Sequence, residues 1–232
     1  MRVVFVHGAC VKDGSWWWHR TGAALEARGV ASVAPALPSC GEATRPGGAD
    51  GPSLDDDVAA VREVLLSSEE PTTVVAHSYG GIVTAEAAAG IDAVRTLVLI
   101  SSYLPEPGES LSSFSGDEPA PFLRVDLERS VLEVRSELLV DTFLQDCPAD
   151  VAVEAPQHLA PQSLSVTQAP VRAAAWHDVP STYLVCSRDR GTPPERQRDF
   201  ARRAGTVVEL ATGHHPFLAQ PQAVADLVLE SS

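Results

Sequence analysis

Lysine is almost missing from this chain: Lys12 is the one lysine among 232 residues. Lys and Arg together number 17 against 31 Asp and Glu, a formal net charge of -14 at pH 7. A surface of that sign repels phosphate backbones and anionic lipid at long range, and no lysine-rich patch offsets it. Neither nucleic acid nor a membrane is therefore expected as a partner. Cysteine is sparse and scattered. Cys10, Cys40, Cys147 and Cys186 form no C-x-x-C pair and no His/Cys spacing that would build a zinc site, so reduced thiols and no bound metal are expected. The opening MRVVFVHGAC has no basic start, long apolar run or small-residue cleavage site, the parts of a secretory leader, and a cytoplasmic protein is expected.

What is present is a globular balance, 44% hydrophobic and 21% charged residues, without a visible linker. One domain spanning 1–232 is expected. Short β-branched runs alternate with Ala/Leu/Glu-rich stretches of helical period, the pattern of a mostly parallel sheet flanked by helices. The strand candidates are Val3 to Val6, Ala31 to Pro35, Thr72 to Ala76, Arg95 to Ser101, Thr182 to Cys186 and Thr206 to Leu210. Helices are expected at Trp16 to Arg28, Ser53 to Leu66, Tyr79 to Ala89, Pro194 to Arg203 and Pro221 to Leu229. Between 105 and 170 the alternation breaks. That stretch is rich in Pro, Ser and Glu and carries helical patches at Leu127 to Leu139 and Val140 to Leu144. With no convincing strand of its own, it reads as an insertion over the strand ends, the core being 1–104 and 171–232.

The chemistry centres on VVAHSYGG, Val74 to Gly81. A serine between a buried-type strand and a helix matches the nucleophile-elbow pattern G-x-S-x-G, except that Ala76 stands in the place of the first glycine. Such a turn exposes the hydroxyl of Ser78 and aims the Tyr79 N–H at a reacting carbonyl oxygen. A serine hydroxyl needs a base to take its proton and a carboxylate to orient that base. His214, in the loop ATGHHPF, and Asp189, in SRDRGTPP directly after a strand, arrive in the order Ser, acid, His. His215 competes with its neighbour. Asp92, Asp178 and Asp199 compete with Asp189 but belong at the other end of the sheet or on a helix face. His7 is expected to brace its loop by hydrogen bonding, and the Ala9 N–H to complete an oxyanion hole with that of Tyr79. His77 is expected to pack away from the pocket. At most two of Trp16, Trp17 and Trp18 can face the core, while Tyr103, Leu104, Phe114, Phe122, Phe143 and Leu144 are candidates to line an apolar pocket.

Taken together, VHGAC, AHSYGG, SSYLPEPGESL, RDRGTPPE and GHHPF resemble the α/β-hydrolase superfamily, and within it the branch of small cap-bearing esterases, plant methyl esterases and hydroxynitrile lyases. The resemblance spans nearly the whole chain. It implies an α/β-hydrolase fold with a helical cap at 105–170, and Ser78, Asp189 and His214 as a triad. It also implies the Ala9 and Tyr79 amides as oxyanion hole, no cofactor, and a small-molecule ester as substrate. Cyanohydrin-cleaving relatives use a threonine after the first strand and a lysine after the catalytic histidine. Here Gly8 and His215 stand there, which favours hydrolysis. The alternatives are a ligand-binding protein on the same fold with little turnover, and a lyase or cyclase that uses His214 as a base without an acyl-enzyme.

Overall fold

Six of the β-branched runs form one sheet in the computed structural model, which describes residues 1–41, 46–116 and 119–232. The chain runs β1 (Arg2–Val6), α1 (Gly14–Glu26), β2 (Ala31–Val33), α2 (Leu54–Leu66), β3 (Thr72–His77), α3 (Gly80–Ala87) and β4 (Val94–Ile100). It continues through β5 (Leu123–Asp126), β6 (Val131–Val134), α4 (Ser136–Phe143), α5 (Ala149–Glu154) and β7 (Gln162–Ser163). It then returns to the sheet with β8 (Ser181–Cys186), α6 (Pro194–Ala201), β9 (Thr206–Leu210), α7 (Pro216–Ala219) and α8 (Pro221–Glu230).

The sheet order is β2-β1-β3-β4-β8-β9, with every neighbouring pair parallel. Side chains alternate across it because the strand period is two. Val4, Val6, Val74, Ala76, Leu97, Leu99, Tyr183 and Val185 pack with α2, α3 and α6 on one face. Val3, Phe5, Val75, Val98, Ile100 and Leu184 pack with α1, α7 and α8 on the other. Trp17 and Trp18 are buried and Trp16 is not. Trp18 stacks between Phe5 and Phe217, with centroids 4.4 and 3.9 Å away. Truncating either buried tryptophan is expected to cost about 3–5 kcal/mol. At the start of α2, the Ser53 N–H donates to Asp56 Oδ2 at 2.7 Å. With Asp55, Asp56 and Asp57 in the first turn, the helix end meets both its orphan donors and its dipole.

Strand order reverses direction between β1 and β3, one side growing to β2 and the other to β4. The loops leaving the carboxyl ends of these two strands therefore splay apart and open a crevice at the top of the sheet. The segment between β4 and β8 covers that crevice. It contains α4 and α5, but also a three-stranded antiparallel sheet, β5-β6-β7, where no strand was expected. The helical patch assigned to Leu127 to Leu139 is instead a turn closed by Ser130 at φ 53°, followed by β6 and the start of α4. Helical and strand periods are not separable over so short an apolar run, and the left-handed turn decides for a hairpin. The strand expected to reach Pro35 stops at Val33, since proline has no N–H to extend the ladder.

Candidate active site

Ser78 stands between the end of β3 and the start of α3 with φ 52°, a left-handed conformation that a side-chain-bearing residue rarely adopts. Its surroundings hold it there. The Ser78 N–H donates to the Ile100 carbonyl at 3.3 Å, and its carbonyl accepts from the Gly81 N–H at 3.1 Å and from Ser102 Oγ at 2.8 Å. The two glycines that follow allow backbone to meet backbone: a Cβ on Gly80 would sit 2.4 Å from the Val6 carbonyl oxygen, and one on Gly81 2.1 Å from that of Tyr103. Ala76 is fully buried in β3, in register with Val6 and Leu99, so its methyl group is ordinary core packing.

Asp189 and His214 meet on the same side of the crevice. The Nδ1–H of His214 donates to Asp189 Oδ2 at 2.7 Å, both groups being buried. That carboxylate accepts four further hydrogen bonds. Ser101 Oγ (2.6 Å) and Gln197 Nε2 (3.0 Å) reach Oδ2, and the N–H groups of Gly191 (2.7 Å) and Thr192 (3.0 Å) reach Oδ1. Burial opposes its charge, yet His214, Ser101 and the Thr192 N–H outweigh that and hold its carboxyl below the ordinary range. The loops that carry His214 and Asp189 are strapped down from above. Asp146 Oδ2 accepts from Thr212 Oγ1 (2.9 Å) and the Gly213 N–H (2.6 Å), and Gln145 Nε2 donates to the Arg188 carbonyl (2.9 Å).

Ser78, His214, Ala9 and Tyr79 all line one cavity of about 610 Å³. Ser78 and His214 thus face the same cavity. The loop after β1 passes close, for a Cβ on Gly8 would lie 3.2 Å from Ser78 Cβ. Apolar side chains dominate the walls, among them Trp17, Phe114, Phe122, Leu132, Phe143 and Phe217. Among the described residues lining the cavity there is no Asp or Glu, and Arg196 on α6 is the one permanently charged side chain. Of the expected aromatic and leucine candidates, Tyr103, Phe114, Phe122 and Phe143 line the cavity, while Leu104 and Leu144 are buried in packing behind it.

A sequence model of the alpha/beta hydrolase family matches residues 3–227. The chain belongs to that family. Among the relatives of this alpha/beta hydrolase, the alpha/beta hydrolase nvfD of Aspergillus novofumigatus is 29% identical over 76% of this chain and 77% of its own. Methylesterase 1 of Arabidopsis thaliana is 25% identical over 98% and 94%. A solved pyrethroid hydrolase from Sphingobium faniae superposes with a TM-score of 0.86 at 22% identity, covering 99% of this chain and 96% of that one.

Several residues of this alpha/beta hydrolase differ from their sequence expectation. His77 does not pack away from the pocket. Because β3 ends at His77, its ring lies on the cavity wall, edge-on to His214 with centroids 4.4 Å apart, and its Nε2–H donates to the His214 carbonyl at 3.0 Å. Burial, then the neighbouring His214 and His215, keeps His77 neutral well below the usual histidine range. His215 donates from Nδ1 to the Phe143 carbonyl at 3.0 Å, and burial pushes it down to about 3. His7 does brace its loop, Nδ1 meeting the Gly8 carbonyl at 2.9 Å. Ser101, Gln197 and Asp146 were missed altogether. Ser101 alone left a signal, a Ser-Ser pair at the very end of a buried strand; its φ of 42° marks it as a second strained turn facing the same carboxylate.

Proposed function

We propose that this protein is a serine esterase that hydrolyses a bulky, uncharged carboxylic ester through Ser78, His214 and Asp189. The observation that carries this is the convergence of Ser78, presented on a strained turn, and His214, fixed on a buried carboxylate, in one apolar cavity. In the reaction Ser78 Oγ attacks the ester carbonyl carbon, the carbonyl electron pair moves to oxygen, and His214 Nε2 takes the hydroxyl proton. Asp189, accepting from Nδ1, keeps the imidazole in the tautomer that leaves Nε2 free and then faces its positive form. The oxyanion is received by the Ala9 and Tyr79 N–H groups, a pair of which each member is worth about 10²–10³ in kcat. The imidazolium gives its proton to the departing alcohol, and water repeats the cycle on the acyl-enzyme.

The mostly apolar walls favour an uncharged substrate, since an ion would give up hydration with only Arg196 among the described lining residues able to pair with it. Acyl and alcohol parts of considerable size fit a volume of about 610 Å³. Among the described residues no three His, Cys, Asp or Glu side chains are grouped to hold a metal ion, and no helix is long and apolar enough to cross a membrane. The free thiols of Cys10, Cys40, Cys147 and Cys186 fit a reducing, cytoplasmic setting. A panel of methyl and p-nitrophenyl esters of increasing size tests the reading. Turnover is expected to favour large apolar esters over acetate, and Ser78→Ala is expected to abolish it; wild-type rates in Ser78→Ala would overturn the mechanism.

A further inference from the structure

A buried polar chain that the reaction itself does not use runs from the side chain of Tyr79 to the Cys10 N–H, one peptide group beyond the Ala9 N–H of the proposed oxyanion hole. Tyr79 Oη donates to Asp57 Oδ2 at 2.7 Å. Ser39 gives the same carboxylate two hydrogen bonds, from its N–H to Oδ1 at 2.8 Å and from Oγ to Oδ2 at 2.6 Å. Gln162 Nε2 donates to Ser39 Oγ at 2.9 Å, and Gln162 Oε1 accepts the Cys10 N–H at 3.1 Å. Tyr79, Asp57, Ser39, Gln162 and Cys10 are all fully buried. The chain starts on the residue after the nucleophile and ends on the peptide group between Ala9 and Cys10.

Each link has one sense. Tyr79 and Ser39 can only donate to an ionised carboxylate, which in turn leaves Ser39 Oγ to accept from the Gln162 amide and fixes which end of that amide meets Cys10. Among the described residues no arginine or lysine hydrogen-bonds or ion-pairs with Asp57; His7 lies near enough to favour its charge, but a buried carboxylate whose hydrogen bonds come from Ser39 and Tyr79 is a poor way to gain stability. Burial accordingly pushes its carboxyl up, against the pull of the Ser39 and Tyr79 donors. The far end of the chain is no freer. Gln162 lies on β7 of the covering segment, and the same segment grips the loop after β1 through Ala160 N–H to the Cys10 carbonyl (2.9 Å), Lys12 N–H to the His158 carbonyl (2.9 Å) and an antiparallel bridge from Val11 to Leu159. Cys10 itself is held at φ 59°.

We infer that Asp57 and Gln162 are positioning residues for the oxyanion hole. They tie the Ala9–Cys10 peptide to the Tyr79 turn, and the covering segment supplies the link, so the hole is complete only with that segment seated. This rests on the esterase reading of Ser78. Neither residue touches the substrate.

The test uses the whole protein in three variants, Asp57→Asn, Gln162→Leu and the nearly isosteric Tyr79→Phe, with rates expressed per active site titrated by a fluorophosphonate so that misfolded protein drops out. Two inhibitors are compared: a trifluoromethyl ketone matched to the best ester, and the corresponding methyl ketone. Ser78 Oγ adds to the fluorinated ketone's carbonyl carbon, its proton passes to His214, and the carbonyl electron pair becomes an oxyanion in the hole. The methyl ketone binds without that step. Each variant is expected to lose at least about tenfold in kcat, with KM within about twofold, and to bind the trifluoromethyl ketone more weakly by the same factor, the methyl ketone being unmoved. Wild-type kcat and trifluoromethyl ketone affinity in the variants would overturn the inference, as would equal weakening of both ketones, which would mean general disturbance of the pocket. Turnover that survives Ser78→Ala would instead overturn the esterase reading on which it stands.

Discussion

His214 Nδ1 lies 2.7 Å from Asp189 Oδ2, and neither group has appreciable contact with solvent. A carboxylate in that position fixes both the orientation and the tautomer of the imidazole, leaving Nε2 to face the cavity that holds Ser78. Asp189→Asn keeps the volume but puts an amide where an acceptor was needed. Its kcat on the best ester is expected to fall by about 10³–10⁴, with KM changed only a few-fold. A loss of less than tenfold in steady-state kinetics would remove Asp189 from the mechanism.

Ser101 donates to the same Oδ2 from a backbone conformation few serines adopt. Removing the hydroxyl leaves Asp189 with four of its five donors, so the carboxylate stays ionised but is less firmly aimed. Ser101→Ala is expected to lower kcat by about three- to tenfold, less than the full worth of one hydrogen bond to a charged group because four donors remain, at unchanged KM. The comparison is made on one ester at saturating and limiting concentrations.

Stability should fall on the acid side through three groups of the same sign, Asp189, His215 and His77, the last held neutral by burial as His215 is. Asp189, whose carboxyl is held below the ordinary range, contributes stability that is present above the unfolded value of about 3.9 and is lost as pH falls through the folded one. His215, pushed down to about 3 by burial, stays neutral in the folded protein while the unfolded chain takes up a proton near pH 6.5. Each pH unit between those values then costs about 1.4 kcal/mol. Urea midpoints measured from pH 7 to pH 4 are expected to drop, and His215→Phe is expected to flatten the slope. An unchanged slope in that variant would contradict the burial of a neutral His215.

The two positions of the elbow that tolerate least are not the one that departs from the pattern. Gly81→Ala would drive a methyl group to 2.1 Å from the Tyr103 carbonyl oxygen and 2.3 Å from Ser102 Oγ, and is expected to cost about 3 kcal/mol in urea denaturation. Ala76→Gly removes one buried methyl from β3 and is expected to cost about 1 kcal/mol while leaving esterase activity within a few-fold. A large gain of activity would show that Ala76 distorts the turn.

What could be read in the residues and what could not divides along contact range. The sheet was legible because β-branched runs such as Thr72–Val75 alternate faces by a rule that needs no partner. The elbow was legible because VVAHSYGG carries strand, turn and helix in one short stretch. Asp189 and His214 were placed by chain order and loop context. Gln162, Ser39 and Asp57 are far apart in sequence and meet only through folding, so no local pattern announces them. The turn and β6 were read as helix because Leu127 to Leu139 satisfies either period, and Ser130, the residue that closes the turn, belongs to no strong turn type.

The most direct test of Ser78 as nucleophile is the intact mass of the protein after exposure to a fluorophosphonate, followed by mapping of the modified peptide. One adduct per chain on the peptide carrying Ser78, growing in step with loss of ester turnover and absent in Ser78→Ala, is expected. Turnover that persists in fully labelled protein, or inactivation by an adduct on another residue, would contradict it.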